Sequence, residues 1–131
     1  MSMTLTHISL FVQDMQVMLK FYRDTMGLQV LGEWGSYAEL KASENVKLSL
    51  FNRTSMEQTI PLVQASEVNG HRSVIEFRVD QLDEFCNTLR RQRVQFITDP
   101  TNYSDWGIRS AYIEDPEGNL VDLYEPLSTQ Q

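Results

Sequence analysis

The sequence predicts an α+β fold made of two βαβββ modules, each with one strand, one helix and three further strands. Three observations lead to this prediction. The same order of strand-like and helix-like segments occurs in about residues 3–52 and again in about residues 71–126. In each copy an aspartate closely follows the first strand, where a helix N-cap is expected. Both the first strands and the helices after them are offset by 67 positions, as His7 and Val74 illustrate.

Length and composition are those of one folded domain. The chain has 131 residues, 41% of them hydrophobic and 10% aromatic, which is enough for a core. We predict a single domain spanning residues 1–131, with a connector at residues 53–70 between the modules. A lone module would leave a half-apolar sheet face in water, and pairing of the two modules buries it.

The first module begins with an alternating segment that predicts a strand at His7–Val12. Asp14 is the expected N-cap of a helix that extends to Met26, and Gly27 is the expected stop. Three further strands are predicted at residues 28–31, 36–40 and 46–51.

The second module repeats this order, with a predicted strand at residues 73–79 and Asp80 as the helix N-cap. The helix carries an apolar stripe made of Leu82, Phe85, Cys86 and Leu89. Later strands are predicted at residues 94–97, 108–113 and 120–124, and residues 99–106 are predicted to form a loop. The turn between the last two strands lies at residues 115–119.

Charge, cysteine content and hydrophobicity limit the partners and the cellular compartment of the protein. The net charge of −7 argues against nucleic acid and anionic membranes, because a like-charged surface repels phosphate. The single cysteine excludes an internal disulfide and indicates a reducing compartment. No apolar run approaches the length of a membrane span and the first residues do not resemble a signal peptide. We therefore expect a soluble, cytoplasmic protein.

Five short motifs, in one order along nearly the whole chain, resemble the vicinal oxygen chelate superfamily. This superfamily includes glyoxalase I, the bleomycin-resistance proteins and the extradiol dioxygenases. The motifs are HISLFVQD at 7–14, FYRD at 21–24 with GL at 27–28, VDQLD at 79–83, WGIR at 106–109 and DPEGNLVDL at 115–123. The resemblance implies paired βαβββ modules, curved sheets that enclose a small-molecule cavity, and a homodimer.

The resemblance also implies where a divalent metal would bind. Members with metal chemistry place one ligand on the first and one on the last strand of each module. Carried over by position, these places are His7, Leu48, Val74 and Asp122. Two of them are alkyl side chains without a lone pair, so the set falls short of a catalytic zinc or iron site.

Other residues are candidates to complete a metal site. Glu76 shares a strand face with Val74 by the two-residue period, and Arg78 on that face is expected to neutralise it. His71 lies three residues before Val74 and so has the wrong parity for that face, and Glu39 on the third strand is a further candidate without positional support. We expect no cofactor, and the alternative is a divalent metal held by His7 and Asp122, with Glu76 as a further ligand.

The candidate ligand-binding residues come from both modules. Aromatic side chains suited to stacking on a ligand are Trp34, Tyr37, Tyr103, Trp106 and Tyr112, with core packing as the alternative for several. His7 is equally interpreted as a hydrogen-bonded histidine without metal, and Asp122 as an ion-pair partner of Arg109. The full candidate set is His7, Ser9, Leu48, Val74, Glu76, Trp106, Arg109 and Asp122.

Three functions remain open on the sequence. The first is a metal-independent binding protein for an apolar or aromatic ligand, and the charge of −7 suits a cationic one. The alternative is a metal-dependent lyase, isomerase or dioxygenase that uses His7, Asp122 and a non-standard ligand. The third is a structural or regulatory dimer with a filled interior. Whether the protein is an enzyme is left open.

Overall fold

The computed structural model describes residue 2 and residues 4–59 and 73–128. The chain divides into two compact units, one containing the described residues up to 59 and the other those from 73. Each unit has its own sheet, and each repeats the order of one strand, one helix and further strands. The α+β class and the two βαβββ modules are therefore confirmed. The assignment to one domain and the enclosed cavity stay predictions.

The first unit is a four-stranded sheet in the order β1-β4-β3-β2, with helical segments after its first and last strands. Strand β1 is parallel to β4, and the remaining neighbours are antiparallel. In chain order the elements are β1 (His7–Val12), α1 (Met15–Lys20), a π-helical segment (Phe21–Thr25), β2 (Gln29–Glu33), β3 (Tyr37–Lys41), β4 (Lys47–Asn52) and α2 (Arg53–Thr59).

The first helix starts and stops where the sequence predicts. The Asp14 carboxylate accepts a hydrogen bond from the Val17 amide at 3.1 Å, as an N-cap does. Gly27 has a φ of +79°, a left-handed conformation that suits glycine at the end of a helix. The final turns widen into the π-helical segment, which the apolar spacing did not predict.

The predicted connector begins with structure of its own. Helix α2 occupies residues that the sequence assigned to an irregular link, and the Asn52 side chain accepts a hydrogen bond from the Ser55 amide at 3.1 Å. This is the capping contact that Asn makes at the start of a helix. The rest of the connector, including His71, lies outside the described residues.

The second unit has a five-stranded sheet in the order β5-β9-β8-β6, with β7 paired to β8. Strand β5 is parallel to β9, as β1 is to β4. In chain order its elements are β5 (Val74–Arg78), α3 (Leu82–Arg91), β6 (Gln95–Phe96), β7 (Thr101–Tyr103), a 3₁₀ turn (Ser104–Trp106), β8 (Ile108–Glu114) and β9 (Leu120–Pro126). Strand β7 and the 3₁₀ turn correct the prediction of a loop at residues 99–106.

Helix α3 begins one residue later than predicted. Gln81, not Asp80, occupies the N-cap position, has a φ of +54° and makes no capping bond with its side chain. The Leu82 amide donates instead to Glu125 of strand β9 at 3.3 Å. A carboxylate distant in sequence therefore takes the place of the local cap.

Each unit buries one face of its sheet against its helix. In the first unit, leucines of β3 and β4 are buried, as are Met18 and Leu19 of α1. In the second unit, the α3 stripe is buried except for the half-buried Phe85, as are alternate residues of β8 and β9. These core residues are Met18, Leu19, Ala38, Leu40, Leu48, Leu50, Leu82, Cys86, Leu89, Ala111, Ile113, Val121 and Leu123. Among the described residues, no helix is long and apolar enough to cross a membrane.

Candidate functional site

The other face of each sheet carries polar side chains in equivalent positions. In the first unit Ser49 pairs with Ser9 on one side and Glu39 on the other. In the second unit Asp122 pairs with Glu76 on one side and Tyr112 on the other. Paired residues point to the same side of a sheet. We call the face with His7, Ser9, Tyr37, Glu39, Lys47 and Ser49 the first polar face, and the face with Val74, Glu76, Ser110, Tyr112 and Asp122 the second.

This register corrects the predicted equivalence of Leu48 and Asp122. Leu48 pairs with Ile8 and is buried in the core, so it lies on the opposite side of the sheet from His7. Ser49 is the counterpart of Asp122, because both pair with the equivalent position of the parallel edge strand. An alignment error of one residue moves a side chain to the other face.

A continuous hydrogen-bonded network occupies the first polar face. His7 Nε2 lies 3.0 Å from Glu39 Oε2, and His7 Nδ1 lies 2.8 Å from the Thr6 hydroxyl. Tyr37 donates its hydroxyl proton to the same Glu39 oxygen at 2.6 Å and lies 3.0 Å from Ser49 Oγ. Both ring nitrogens of His7 are therefore engaged by protein groups.

The network assigns the tautomer of neutral His7. A carboxylate only accepts hydrogen bonds, so the nitrogen beside Glu39 carries the proton and Nδ1 accepts from Thr6. The hydrogen bond from Tyr37 lowers the pKa of Glu39, and His7 and Lys47 act in the same direction. Lys47 Nζ adds an ion pair to the other Glu39 oxygen at 3.6 Å. Glu39, a candidate without positional support in the sequence, is thus the central acceptor of this face.

On the second polar face two carboxyl groups meet. Asp122 is fully buried, and its Oδ1 accepts a short hydrogen bond from the Ser110 hydroxyl. Its Oδ2 is buried and receives no hydrogen bond from a hydroxyl or amide group of the described residues, and the carboxyl group that hydrogen-bonds to Asp122 is that of Glu76. Burial, followed by the neighbouring Glu76 carboxyl, raises the pKa of Asp122 to about 6, although the hydrogen bond from Ser110 acts in the opposite direction. Asp122 and Glu76 therefore form a close acidic pair.

The expected neutralising partners of this pair lie elsewhere or make other contacts. Arg109 makes two hydrogen bonds to Asp83, at 3.0 and 2.8 Å, and a third to Asn102 at 2.9 Å, which corrects the pairing of Arg109 with Asp122. Within the described part of the chain, no ion pair joins Arg78 to Glu76. Neither arginine therefore forms an ion pair with the acidic pair.

Large aromatic side chains flank both units. In the first unit Trp34 stacks on Tyr37 with ring centres 5.6 Å apart, and Tyr37 packs on Phe51 at 4.4 Å. In the second unit Tyr103 stacks on Trp106 at 5.2 Å. The two indoles are 61% and 66% exposed. Exposed stacked rings of this kind offer flat apolar surfaces to a ligand.

Two open clefts lie beside the aromatic pair of the second unit. One of about 350 Å³ is lined by residues 102–106. The other, of about 450 Å³, is lined by Asn102, Arg109, Glu125, Pro126, Leu127 and Ser128. Trp106 and Arg109, both predicted ligand contacts, therefore lie on neighbouring clefts that share Asn102, and neither belongs to the second polar face.

The residues at the inherited metal positions do not fit a metal site in the form that the sequence suggested. Ser49 replaces Leu48 at the first-unit position, and Val74 offers no lone pair. His7 Nε2 carries a proton towards Glu39 and has no lone pair to give in that tautomer. Within residues 4–59 and 73–128, no group of three or more His, Cys, Asp or Glu side chains is arranged to hold a metal ion.

Cys86 is buried, and burial raises the pKa of its thiol to about 11, so it is not a nucleophile.

Comparison with known proteins agrees with this architecture. The model of the Glyoxalase/Bleomycin resistance protein/Dioxygenase superfamily matches residues 4–123. The chain therefore belongs to this superfamily. Within the curated proteins it is 28% identical over 129 residues to the uncharacterized protein YraH of Bacillus subtilis, covering 95% of this chain and 100% of YraH.

Solved structures with the same fold include proteins with different described roles. A lactoylglutathione lyase from Agrobacterium tumefaciens has a TM-score of 0.73 and 21% identity, over 93% of this chain and 92% of that one. The antibiotic-binding protein TnmS3 from a Streptomyces species has a TM-score of 0.73 and 23% identity, over 95% and 97%. At these identities the likeness shows the fold alone. The fold is compatible with both a lyase and a binding protein, so the function has to be inferred from the side chains of the site.

Proposed function

We propose that this protein binds a small aromatic or apolar molecule without a catalytic metal ion. The observation that carries the proposal is the state of His7, the one imidazole at an inherited metal position. Its Nε2 donates to Glu39 and its Nδ1 accepts from Thr6, so a metal would have to displace a partner from one of the two nitrogens. Metal sites instead orient the imidazole with one nitrogen and leave the other for the ion.

The exposed indoles support the ligand class. Trp34 and Trp106 each stack on a tyrosine whose ring holds the indole in place. Small-molecule sites are lined mainly by aromatic and apolar side chains with few polar groups. A flat apolar ligand that covers either indole would bury surface that now lies in water, and burial of apolar surface is favourable.

Metal content tests the metal-independent part of the proposal. Protein purified without chelator is expected to contain well under one equivalent of zinc, nickel, manganese or iron by elemental mass spectrometry. Calorimetric titration with each cation is expected to show no saturable binding. Stoichiometric metal that is lost in His7→Ala but kept in the control His7→Gln, whose amide oxygen still ligates, would contradict the proposal.

Tryptophan fluorescence tests the binding part, because the chain has two tryptophans. We expect small aromatic compounds to change the emission, with single-tryptophan variants Trp34→Phe and Trp106→Phe reporting which indole is covered. Phenylalanine keeps the stacking surface, so binding itself is expected to persist in both variants. No emission change with any member of an aromatic panel, confirmed by calorimetry, contradicts the proposal.

The alternative function is a metal-dependent lyase, isomerase or dioxygenase. The observation that favours it is the acidic pair of the second polar face, since Glu76 and Asp122 are adjacent carboxyl groups and carboxylate oxygens are metal ligands. The same metal analysis separates the two functions, because this alternative needs a bound cation that disappears when Asp122 is replaced by Ala.

A further inference from the structure

We infer that Gly32 is a positioning residue that holds the Trp34 indole against strand β2 as a fixed surface for the ligand. This inference rests on the proposed function and deepens it, because it assigns the stacking of an aromatic ligand to one of the two exposed indoles. It concerns the first unit alone, at the hairpin between β2 and β3.

Gly32 is directed to the first polar face because strand β2 contains a bulge. Val30 pairs with the buried Leu40 of β3. The register then shifts, and Gly32 pairs with Glu39. Paired residues point to the same side of a sheet, so a side chain at position 32 would lie beside Glu39. Gly32 therefore leaves a gap on the first polar face, next to the hydrogen bond between Tyr37 and Glu39.

The six-membered ring of the Trp34 indole fills this gap. A methyl group added to Gly32 would overlap the ring, reaching within 2.6 Å of Cζ3 and 2.7 Å of Cζ2, with Cη2 closer still. Carbon atoms in van der Waals contact lie about 3.5–4.0 Å apart. No side chain larger than that of glycine therefore fits beside the indole in its present position.

Backbone geometry does not account for glycine at this position. The φ of Gly32 lies outside the left-handed region, so alanine can adopt the same backbone conformation. Glycine inside a strand otherwise lowers stability, because the chain loses more freedom on folding and no side chain packs. What glycine supplies at position 32 is room for the indole.

Tyr37 provides the second support of the indole. Its ring stacks on Trp34 at an angle of 27° with centres 5.6 Å apart, and it packs on Phe51 at 4.4 Å. The Tyr37 hydroxyl is fixed in turn by Glu39 at 2.6 Å and lies 3.0 Å from Ser49 Oγ. The Trp34 amide also donates a hydrogen bond to the Tyr37 carbonyl at 2.8 Å. Trp34 is therefore held through both its main chain and its side chain.

An indole held in this way is exposed and yet fixed. Trp34 keeps 61% of its surface in water. A side chain that rotates freely loses rotamer freedom when a ligand orders it, and this loss weakens binding. Because Gly32 and Tyr37 already hold the indole, a flat aromatic ligand stacks on it without that loss. Gly32 thereby favours binding without touching the ligand.

Time-resolved fluorescence anisotropy tests the positioning in the absence of a ligand. In a Trp106→Phe background Trp34 is the single tryptophan, so the decay reports its motion alone. We expect the indole to rotate with the whole protein when residue 32 is glycine. Gly32→Ala is expected to add a sub-nanosecond decay, because a displaced, exposed side chain rotates on the picosecond to nanosecond timescale. Gln29→Ala, an exposed change at the other end of β2, is the control and is expected to add none.

Calorimetry with 2-naphthol tests the consequence for binding in the intact chain. This flat, neutral compound has two fused rings and is similar in size to an indole. We expect Gly32→Ala to weaken its binding about fivefold, the effect of losing one aromatic stack, and Gln29→Ala to leave it unchanged.

A second substitution is expected to rescue the first. Trp34→Phe lacks the ring atoms that meet the added methyl group, so Gly32→Ala combined with Trp34→Phe is expected to bind 2-naphthol as tightly as Trp34→Phe alone. A general disturbance of strand β2 would not be rescued in this way. Circular dichroism checks that each variant is folded.

The outcomes separate this inference from the proposed function. Binding of 2-naphthol that Gly32→Ala leaves unchanged would overturn the inference and leave a binding protein whose ligand lies elsewhere. An unaltered anisotropy decay in Gly32→Ala also overturns it, as does a double variant that binds as weakly as Gly32→Ala. Failure of 2-naphthol to bind the native protein overturns the inference, and only failure of the whole aromatic panel rejects the proposed function as well. Weaker binding in Gly32→Ala that is regained with Trp34→Phe supports the inference.

Discussion

At the residue scale, His7 and Asp122 lie on the equivalent polar faces of the two units but have different surroundings. His7 is hydrogen-bonded by two neighbours, Thr6 and Glu39, whereas Asp122 is buried with one hydroxyl donor and a second carboxyl group. The two-residue period of a strand correctly placed Glu76 on the face of Val74. Glu39 had no positional support in the sequence, because only the pairing of β1 with β4 and of β4 with β3 brings its carboxylate beside His7.

Stability is expected to depend on pH through Asp122. Burial and Glu76 raise its pKa in the folded protein to about 6, from an ordinary value of 3.8. Between these values the folded state holds more protons than the unfolded state, so the free energy of unfolding falls as pH rises. Asp122→Asn removes the cost of ionising a buried carboxyl group, and the amide oxygen of Asn can still accept the hydrogen bond from Ser110.

We therefore expect Asp122→Asn to be more stable relative to the native protein at pH 8 than at pH 4.5, by about 2 kcal/mol. Urea unfolding at the two pH values measures the difference. Asp105→Asn, at an exposed aspartate of the 3₁₀ turn, is the control and is expected to show no such change. An equal effect of Asp122→Asn at both pH values contradicts the assignment.

At the element scale, helix α3 shows where local signals are overridden. An aspartate after a strand is a good N-cap signal, yet the chain turns through Gln81 in the left-handed region and begins the helix at Leu82. Glu125 on strand β9, 43 residues away in sequence, then accepts a hydrogen bond from the Leu82 amide. Tertiary packing of the helix on the sheet decides its first residue, because a distant carboxylate is a cap that no local pattern contains.

The left-handed conformation of Gln81 predicts that glycine is stabilising there. A side chain at φ +54° costs about 1–2 kcal/mol, and glycine offsets part of the gain by its greater freedom when unfolded. We expect Gln81→Gly to raise the free energy of unfolding by about 0.5–1 kcal/mol, measured by chemical denaturation.

Gln92→Gly is the matched control, because Gln92 caps the other end of the same helix with a φ of −93°. No strain is relieved at that φ, so we expect this variant to be slightly destabilised. Destabilisation by Gln81→Gly of the same size as by Gln92→Gly would show that Gln81 is not strained.

At the scale of the whole molecule, the edge strands of the two sheets leave apolar side chains exposed. Strand β1 is at the end of the first sheet and β5 at the end of the second. Ile8 of β1 is 39% exposed, and Phe11 and Val74 are exposed to a similar extent. Exposed apolar edge strands favour association. We propose that a second copy of the chain covers them, which agrees with the homodimer implied by the family resemblance.

Light scattering during size-exclusion chromatography is expected to give twice the mass of the chain. Ile8→Lys places a charge on the edge strand and is expected to shift the protein to monomer. Val17→Lys replaces an equally exposed apolar residue on α1 and is expected to leave the dimer intact. A native monomer, or an equal effect of both variants, contradicts the proposal.

The sequence by itself determined the order of elements, the duplication and the family, because these depend on local periodicity, caps, turns and the spacing of motifs along the chain. The tertiary structure decided the register of strand pairing and the hydrogen-bond partners of the polar side chains. Periodicity assigns a face only relative to neighbours on the same strand, so the choice of Leu48 over Ser49 depended on loops whose lengths carry no such signal. His7 and Glu39 are 32 residues apart in sequence, and only the pairing of β1, β4 and β3 brings imidazole and carboxylate together. The same pairing, repeated in the second unit, places the buried Asp122 carboxyl beside that of Glu76.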